Sequence, residues 1–268
     1  MKTIALIGYG AIAHMVVDEL GKDASEIRID AILVRENRVD AARTELPTTI
    51  NVVTEVRELL AGHPDLVVEC AGQSAVREYA EAVLREGFDL MVTATGAFAD
   101  TTLLDDLTAR AKQTGARLLL PAGAIAGIDG LTALRVGGLD LVRYTSIKPP
   151  EAWRGTPAEN NFDLAALTEP TVIFAGSPID AARDYPKNAN LAMTVALAGI
   201  GVVKTEIQLV ADPNTTNNTG RIHAQGRFGR LDVEMEGQPA PDNPKTSAST
   251  ALSIVHAIRN LTATVVMP

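Results

Sequence analysis

Residues 3–7 (Thr-Ile-Ala-Leu-Ile) read as a buried strand, and Gly8-Tyr9-Gly10-Ala11-Ile12-Ala13 follows at once. A helical pattern then begins, with Met15, Val16 and Leu20 at its apolar positions. Strand, tight turn and helix form the context in which a G-x-G-x-x-G/A fingerprint cradles a dinucleotide pyrophosphate. Gly8 allows the turn. Gly10 has no side chain, so the backbone can approach the phosphates closely. Ala13 replaces the third glycine and still lets helix and strand pack. The helix start at Ala11 and Ile12 offers unpaired N–H groups and a partial positive charge to an anion.

Composition narrows the partners. The chain has 268 residues, long enough for two medium domains with ample cores. Lys and Arg number 24 against 33 Asp and Glu, a net charge of −9. No basic run offsets this, which argues against nucleic acid or an anionic membrane surface and leaves room for an anionic small substrate. Cys70 is the only cysteine, so there is neither a disulfide framework nor a cysteine-based zinc site, as in a reducing cytoplasm. The first strand begins too early to leave room for a signal peptide. No apolar run approaches the roughly 18 residues of a membrane span.

Along the chain, strands are expected at 27–34, 49–53, 66–70, 89–93 and 117–120. The stretch 66–70 reads as fully apolar. Helices are expected at 40–46, 55–60, 74–86 and 103–114. This βα alternation with short links predicts an α/β fold, with an N-terminal Rossmann-type doubly wound parallel sheet over residues 1–121. After Pro121 the texture changes. A small-residue loop, residues 123–130, leads into a short helix, and strands follow at 140–147, 171–175, 206–211, 221–225 and 230–236. Alternation in the last of these suggests a sheet with one solvated face. A helix is expected at 188–202. A second α+β domain over 122–245 carries the substrate, and the terminal helix, within 246–268, returns to the first domain.

The choice of nicotinamide cofactor rests on the end of the second strand. An acid about 20 residues after the glycines is the usual ribose ligand. Asp30 has that spacing but lies inside the strand. The strand ends on Val34-Arg35, with no carboxylate there. Arg35, helped by Arg38, suits a 2′-phosphate or the adenine face, so NADP is expected alongside NAD.

Four stretches together resemble the L-aspartate dehydrogenase family. They are Ile7-Gly8-Tyr9-Gly10-Ala11-Ile12, residues 121–129 (Pro-Ala-Gly-Ala-Ile-Ala-Gly-Ile-Asp), Thr145-Ser146-Ile147-Lys148-Pro149-Pro150, and Tyr185-Pro186-Lys187-Asn188-Ala189-Asn190-Leu191-Ala192. The first is shared by many enzymes; the third and fourth are far more specific. The resemblance implies oxidation of L-aspartate to iminoaspartate with NAD or NADP. The imine then gives oxaloacetate and ammonia or feeds NAD synthesis. It also implies that Ala124 and Asn190 line the nicotinamide end of the cofactor site, and that His223 is the acid/base. Asn190 also suits a helix N-cap.

The residues themselves bear on that chemistry. Oxidising an amino acid requires removal of a proton from the α-ammonium, and histidine titrates in the right range. His14 sits beside the phosphate turn, His63 precedes Pro64 in a loop, and His256 lies in the terminal helix. His223 falls on a strand of the substrate domain. A dicarboxylate needs cations, and Lys148 and Lys187 each stand in a motif whose prolines stiffen the backbone, able to bind a carboxylate or, if buried, to act as a base. Arg221 and Arg227 are lesser carboxylate candidates, and Asn217, Asn218 and Thr219 read as a turn. Cys70 ends a first-domain strand without a basic neighbour and reads as a buried packing residue, not a nucleophile. Scattered histidines give no metal set. Self-association, as a homodimer, is expected. Two other readings remain at this point: a related two-domain reductase of another carbonyl or imine, homoserine-dehydrogenase-like, and a cofactor-binding redox sensor without turnover.

Overall fold

The computed structural model describes the whole chain except residues 23–25, 241–242 and 267–268, and the side chains of Lys187 and of residues 239, 240 and 243–246. The chain forms two compact units, residues 1–121 with 250–268, and residues 122–249.

The first unit alternates strand and helix: β1 (Lys2–Ile7), α1 (Ala11–Gly21), β2 (Ile27–Leu33), α2 (Val39–Glu45), β3 (Asn51–Val53), α3 (Val56–Leu60), β4 (Leu66–Glu69), α4 (Gln73–Arg85), β5 (Leu90–Val92), α5 (Thr101–Thr114) and β6 (Leu118–Leu119). The strands pair in parallel in the order β3-β2-β1-β4-β5-β6. The order reverses between β1 and β4, so a crevice opens at their carboxyl ends, where ligands of such sheets bind. Helices on both faces leave β4 and residues 4–7 of β1 buried. β4 is not fully apolar: it ends on the buried carboxylate of Glu69, 1% exposed. Helix limits follow local chemistry. Asp100 accepts a hydrogen bond from the Leu103 N–H at the start of α5, and Gly115 ends that helix in the left-handed conformation.

The second unit comprises α6 (Ile128–Gly137), β7 (Leu139–Lys148), α7 (Ala158–Asn161), β8 (Thr171–Gly176), α8 (Pro178–Asp184), α9 (Ala189–Ala198), β9 (Glu206–Ala211), β10 (Asn218–Gly226), β11 (Gly229–Gly237), and the short pair β12 (Pro239–Ala240) and β13 (Asn243–Ser247). Its main sheet has the order β11-β10-β7-β9-β8, parallel only between β7 and β9. Val142 and Tyr144 of β7 and Ile222 and Ala224 of β10 pack with Leu131 of α6 and Ala192 and Val195 of α9. One face of the sheet therefore carries helices. Arg143, Arg221 and His223, of opposite strand parity, project from the other face.

Three details depart from the sequence reading. The helix expected at 188–202 stops at Ala198, because Gly199 and Gly201 follow and Gly201 takes φ +84°. α8 is an added helix, started by Ser177 capping the Asp180 N–H with Pro178 behind it. Asn218 and Thr219 lie in β10 and not in a turn, since Thr219 pairs with Ile147 of β7.

A final helix, α10 (Ala248–Arg259), lays Ala251, Ile254, Val255 and Ile258 in the core of the first unit, against residues such as Ile4 and Val16. Each large aliphatic side chain so buried contributes about 1.5–3 kcal/mol. The Arg259 guanidinium donates to the Glu19 carbonyl at 3.1 Å.

Candidate active site

The phosphate turn is built by two glycines with different duties. Gly8 adopts φ +92°, and a Cβ there would lie 2.5 Å from the Ala71 Cβ, so only glycine fits. Its N–H donates to the Leu33 carbonyl, tying the turn to β2. Gly10 occupies the N-cap position of α1 without capping it through a side chain, and a Cβ on it would meet open space. The first turn of α1, from Ala11 and Ile12, carries no acidic residue. These residues fit a dinucleotide pyrophosphate: backbone donors at a helix start, with free space in front of them.

The turn opens on a cavity of about 340 Å³ lined by Gly8, Gly10, Arg35, Arg38, Cys70 and Glu78, among others. Arg35 is exposed and its backbone is extended at the end of β2. Glu78 enters from α4, a contribution that the second strand's sequence does not hint at. Its neighbour Tyr79 also lines the cavity, and burial together with Glu78 pushes the phenol up to about 12, so it stays protonated. Tyr9 stacks on His14 at 3.9 Å, and His14 Nε2 lies 3.4 Å from Glu45, giving this histidine a packing place.

A second cluster lies at the end of β7. Lys148 shares the helix-bearing face with Tyr144, sits 5.6 Å from the centre of the Trp153 ring, and donates a hydrogen bond to Asn188 Oδ1. Burial lowers its ammonium to about 8, because the charged form loses water. Asn188 stands at the N-cap position of α9, yet its side chain serves Lys148 and caps nothing. α9 begins at Ala189, so Asn190 is an exposed residue of its first turn and not its cap. The loop before α6 comes alongside: a Cβ on Gly123 would lie 3.2 Å from Leu191. Ala124, half-buried, thus stands beside the start of α9. Lys187 occupies the 3-10 turn Pro186–Asn188, and its side chain lies outside the described residues.

His223 is not part of this cluster. It pairs with Arg143 in register, on the open face of the sheet. There its Nδ1 lies 2.5 Å from Asp232 Oδ1, and Arg230 contacts the other carboxylate oxygen at 2.7 Å. The histidine contact, then the nearby Arg230, hold the Asp232 carboxyl below its ordinary range. Arg221 pairs with Glu234 on the same face, and Asn217 donates to Glu236 at 2.7 Å. Arg227 lies over Phe228 next to the β10–β11 turn. Sequence reading expects His223 and the lysines to converge on one substrate. The pleat separates His223 from Lys148, since odd and even residues of adjacent strands face opposite ways.

Other candidates keep ordinary places. His63 is exposed, with its ring 5.9 Å from that of Phe88, and His256 is exposed on α10. Cys70 is half-buried and lines the cavity; burial, then Glu69, push its thiol well up. Among the described residues no group of three or more His, Cys, Asp or Glu could hold a metal ion, and no helix is long and apolar enough to cross a membrane.

Known proteins resemble both units. Residues 129–261 match the family described as aspartate dehydrogenase, C-terminal, and residues 8–121 match the homoserine dehydrogenase NAD-binding domain. The chain is 45% identical over 263 residues to an L-aspartate dehydrogenase of Cupriavidus necator, covering 97% of each. It is 42% identical over 260 residues to one from Acinetobacter baylyi, again covering 97% of each. The crystal structure of an aspartate dehydrogenase from Thermotoga maritima superposes over 100% of both chains with TM-score 0.79 at 27% identity. A homoserine dehydrogenase from Thiobacillus denitrificans shares the fold alone, at 15% identity and TM-score 0.63. The chain is therefore an oxidoreductase acting on an amino acid, with NAD or NADP as its cofactor, and it belongs to the L-aspartate dehydrogenase family.

Proposed function

We propose that this chain oxidises L-aspartate to iminoaspartate and that Lys148 handles the proton. Balanced, the reaction takes L-aspartate and NAD(P)+ to iminoaspartate, NAD(P)H and one proton. The nicotinamide ring, when bound, supplies the acceptor for the Cα hydride. The protein supplies the rest. Gly8, Gly10, Ala11 and Ile12 hold the pyrophosphate, and Arg35 meets the adenosine end, accepting a 2′-phosphate as well as a plain ribose. Ala124 and Asn190 flank the nicotinamide end. Lys148, half-buried and with its ammonium lowered to about 8 by lost water, takes a proton from the substrate ammonium. Lys187 pairs with a substrate carboxylate.

The observation that carries this reading is the half-buried Lys148 amine with its Asn188 partner, in a chain of this family. A second reading keeps His223 as the acid/base. It is favoured by the Asp232 carboxylate, which holds the ring in place at 2.5 Å. Following reduced-cofactor absorbance with aspartate for the wild type, Lys148→Met and His223→Ala separates the two. Loss with Lys148→Met alone supports the first; loss with His223→Ala alone transfers the role to the histidine. No turnover of aspartate by the wild type would reject both.

The product imine, released or handed on, yields oxaloacetate and ammonia or enters NAD biosynthesis. The reading places the enzyme in the cytoplasm as a homodimer, which light scattering of the purified chain would check.

A further inference from the structure

The Glu69 carboxylate is buried, 1% exposed, at the carboxyl end of β4. Among the described residues no cation is paired with it. Its partners are backbone N–H groups from two separate loops. Oε1 accepts from Ala71 at 2.7 Å and Gly72 at 2.6 Å, in the loop leading to α4. Oε2 accepts from Thr93 at 3.2 Å and Ala94 at 2.9 Å, in the loop after β5. The Thr93 hydroxyl donates to the Glu69 carbonyl at 2.8 Å, closing the same bridge. A bare carboxylate in this place is held by oriented amide dipoles in place of a counter-ion.

One of those amides has a further consequence. Ala71 is the residue on which the Gly8 turn rests: a Cβ at Gly8 would lie 2.5 Å from Ala71 Cβ and 2.9 Å from its Cα. Ala71 and Cys70 also line the cavity in front of the turn. The position of the phosphate turn is thus set by a loop whose own position is set by Glu69.

We infer that Glu69 is a positioning residue for the dinucleotide, its two oxygens clamping the loops after β4 and β5 so that Ala71 holds the Gly8-Gly10 turn in binding geometry. The inference rests on the assignment of that turn to the dinucleotide.

Glu69→Gln keeps the shape but points an amide NH₂ at one pair of N–H groups, so one loop loses its acceptor. Titrating NADH fluorescence against wild type, Glu69→Gln and Gly10→Val tests it. The Kd for NADH should rise about tenfold in Glu69→Gln, from the loss of charge-assisted hydrogen bonds. At saturating cofactor, kcat with aspartate should stay within about threefold, so the defect appears in KM for NAD. A merely structural role predicts a lower Tm with unchanged Kd, and that result overturns the inference. Failure of wild type to bind NADH, or undiminished binding by Gly10→Val, would instead refute the assignment of the turn, and the inference with it. Should Glu69→Gln not fold, Thr93→Val removes one arm of the bridge. It should shift the Kd in the same direction by about threefold, and an unchanged Kd there overturns the inference equally.

Discussion

Lys148 and His223 stand on paired strands, β7 and β10, yet on opposite faces of one sheet. Lys148 reaches Asn188 under the helix layer, and His223 reaches Asp232 on the open side. A single substrate on one face cannot touch both. Lys148→Met should therefore lower kcat/KM for aspartate by about 10²- to 10⁴-fold, the usual contribution of a positioned base. His223→Ala should stay within about threefold of wild type in the same steady-state assay.

The half-buried lysine also predicts a pH dependence. Its folded-state value of about 8 lies below its ordinary 10.5. As the base of the free enzyme, it should make kcat/KM rise as pH increases through about 8. Stability has its own sign. Between about 8 and 10.5 the unfolded chain binds a proton that the folded chain lacks, so stability rises with pH across that window. Below it, both states are protonated and the full cost of burying the charge remains. Lys148→Met should raise Tm at neutral pH, and its advantage should shrink as pH climbs toward 10.5, as differential scanning calorimetry would read.

Arg35 and Glu78 line one cavity with opposite charges, and the proposed reading gives them the choice of cofactor. Arg35→Ala should weaken NADP more than NAD, changing the ratio of their KM values by about tenfold. Glu78→Gln removes a carboxylate that repels a 2′-phosphate and should shift the ratio the other way. Parallel kinetics with both cofactors on each variant would show equal effects if neither residue reads the 2′ position.

Gly8 leaves no room for a side chain. Gly8→Ala combines a left-handed backbone with a Cβ overlapping Ala71. It should cost more than about 1 kcal/mol of stability and abolish NADH binding, measurable by thermal melts with and without NADH.

The Cys70 thiol is held protonated by burial, then by Glu69. It should resist iodoacetamide at neutral pH, with peptide mass mapping as the readout. Cys70→Ala should keep most activity, since the thiol is held protonated and is a poor nucleophile.

Much of the first unit was legible in the sequence, because its signals are local. Gly8 and Gly10 stand where a strand meets a helix, and apolar runs mark parallel strands buried on both faces. Glu69 escaped as part of an apolar strand. Nothing near it in sequence shows that its oxygens meet N–H groups at Thr93 and Ala94, 24 and 25 positions on. Glu78 escaped likewise, since only the packing of α4 brings it to the end of β2.

Strand parity in the sequence says that His223 and Arg221 share a face, and that Tyr144 and Lys148 share one. It cannot say whether those two faces are the same. That depends on the register Ile222↔Tyr144, a pairing of residues far apart in the chain, and on which face α6 and α9 cover. A slip of one residue would exchange the faces. The family and its chemistry could be read along the chain because motifs are contiguous. The side of the sheet on which Lys148 and His223 each stand was decided by the tertiary structure, because backbone pairing and helix packing alone set the register.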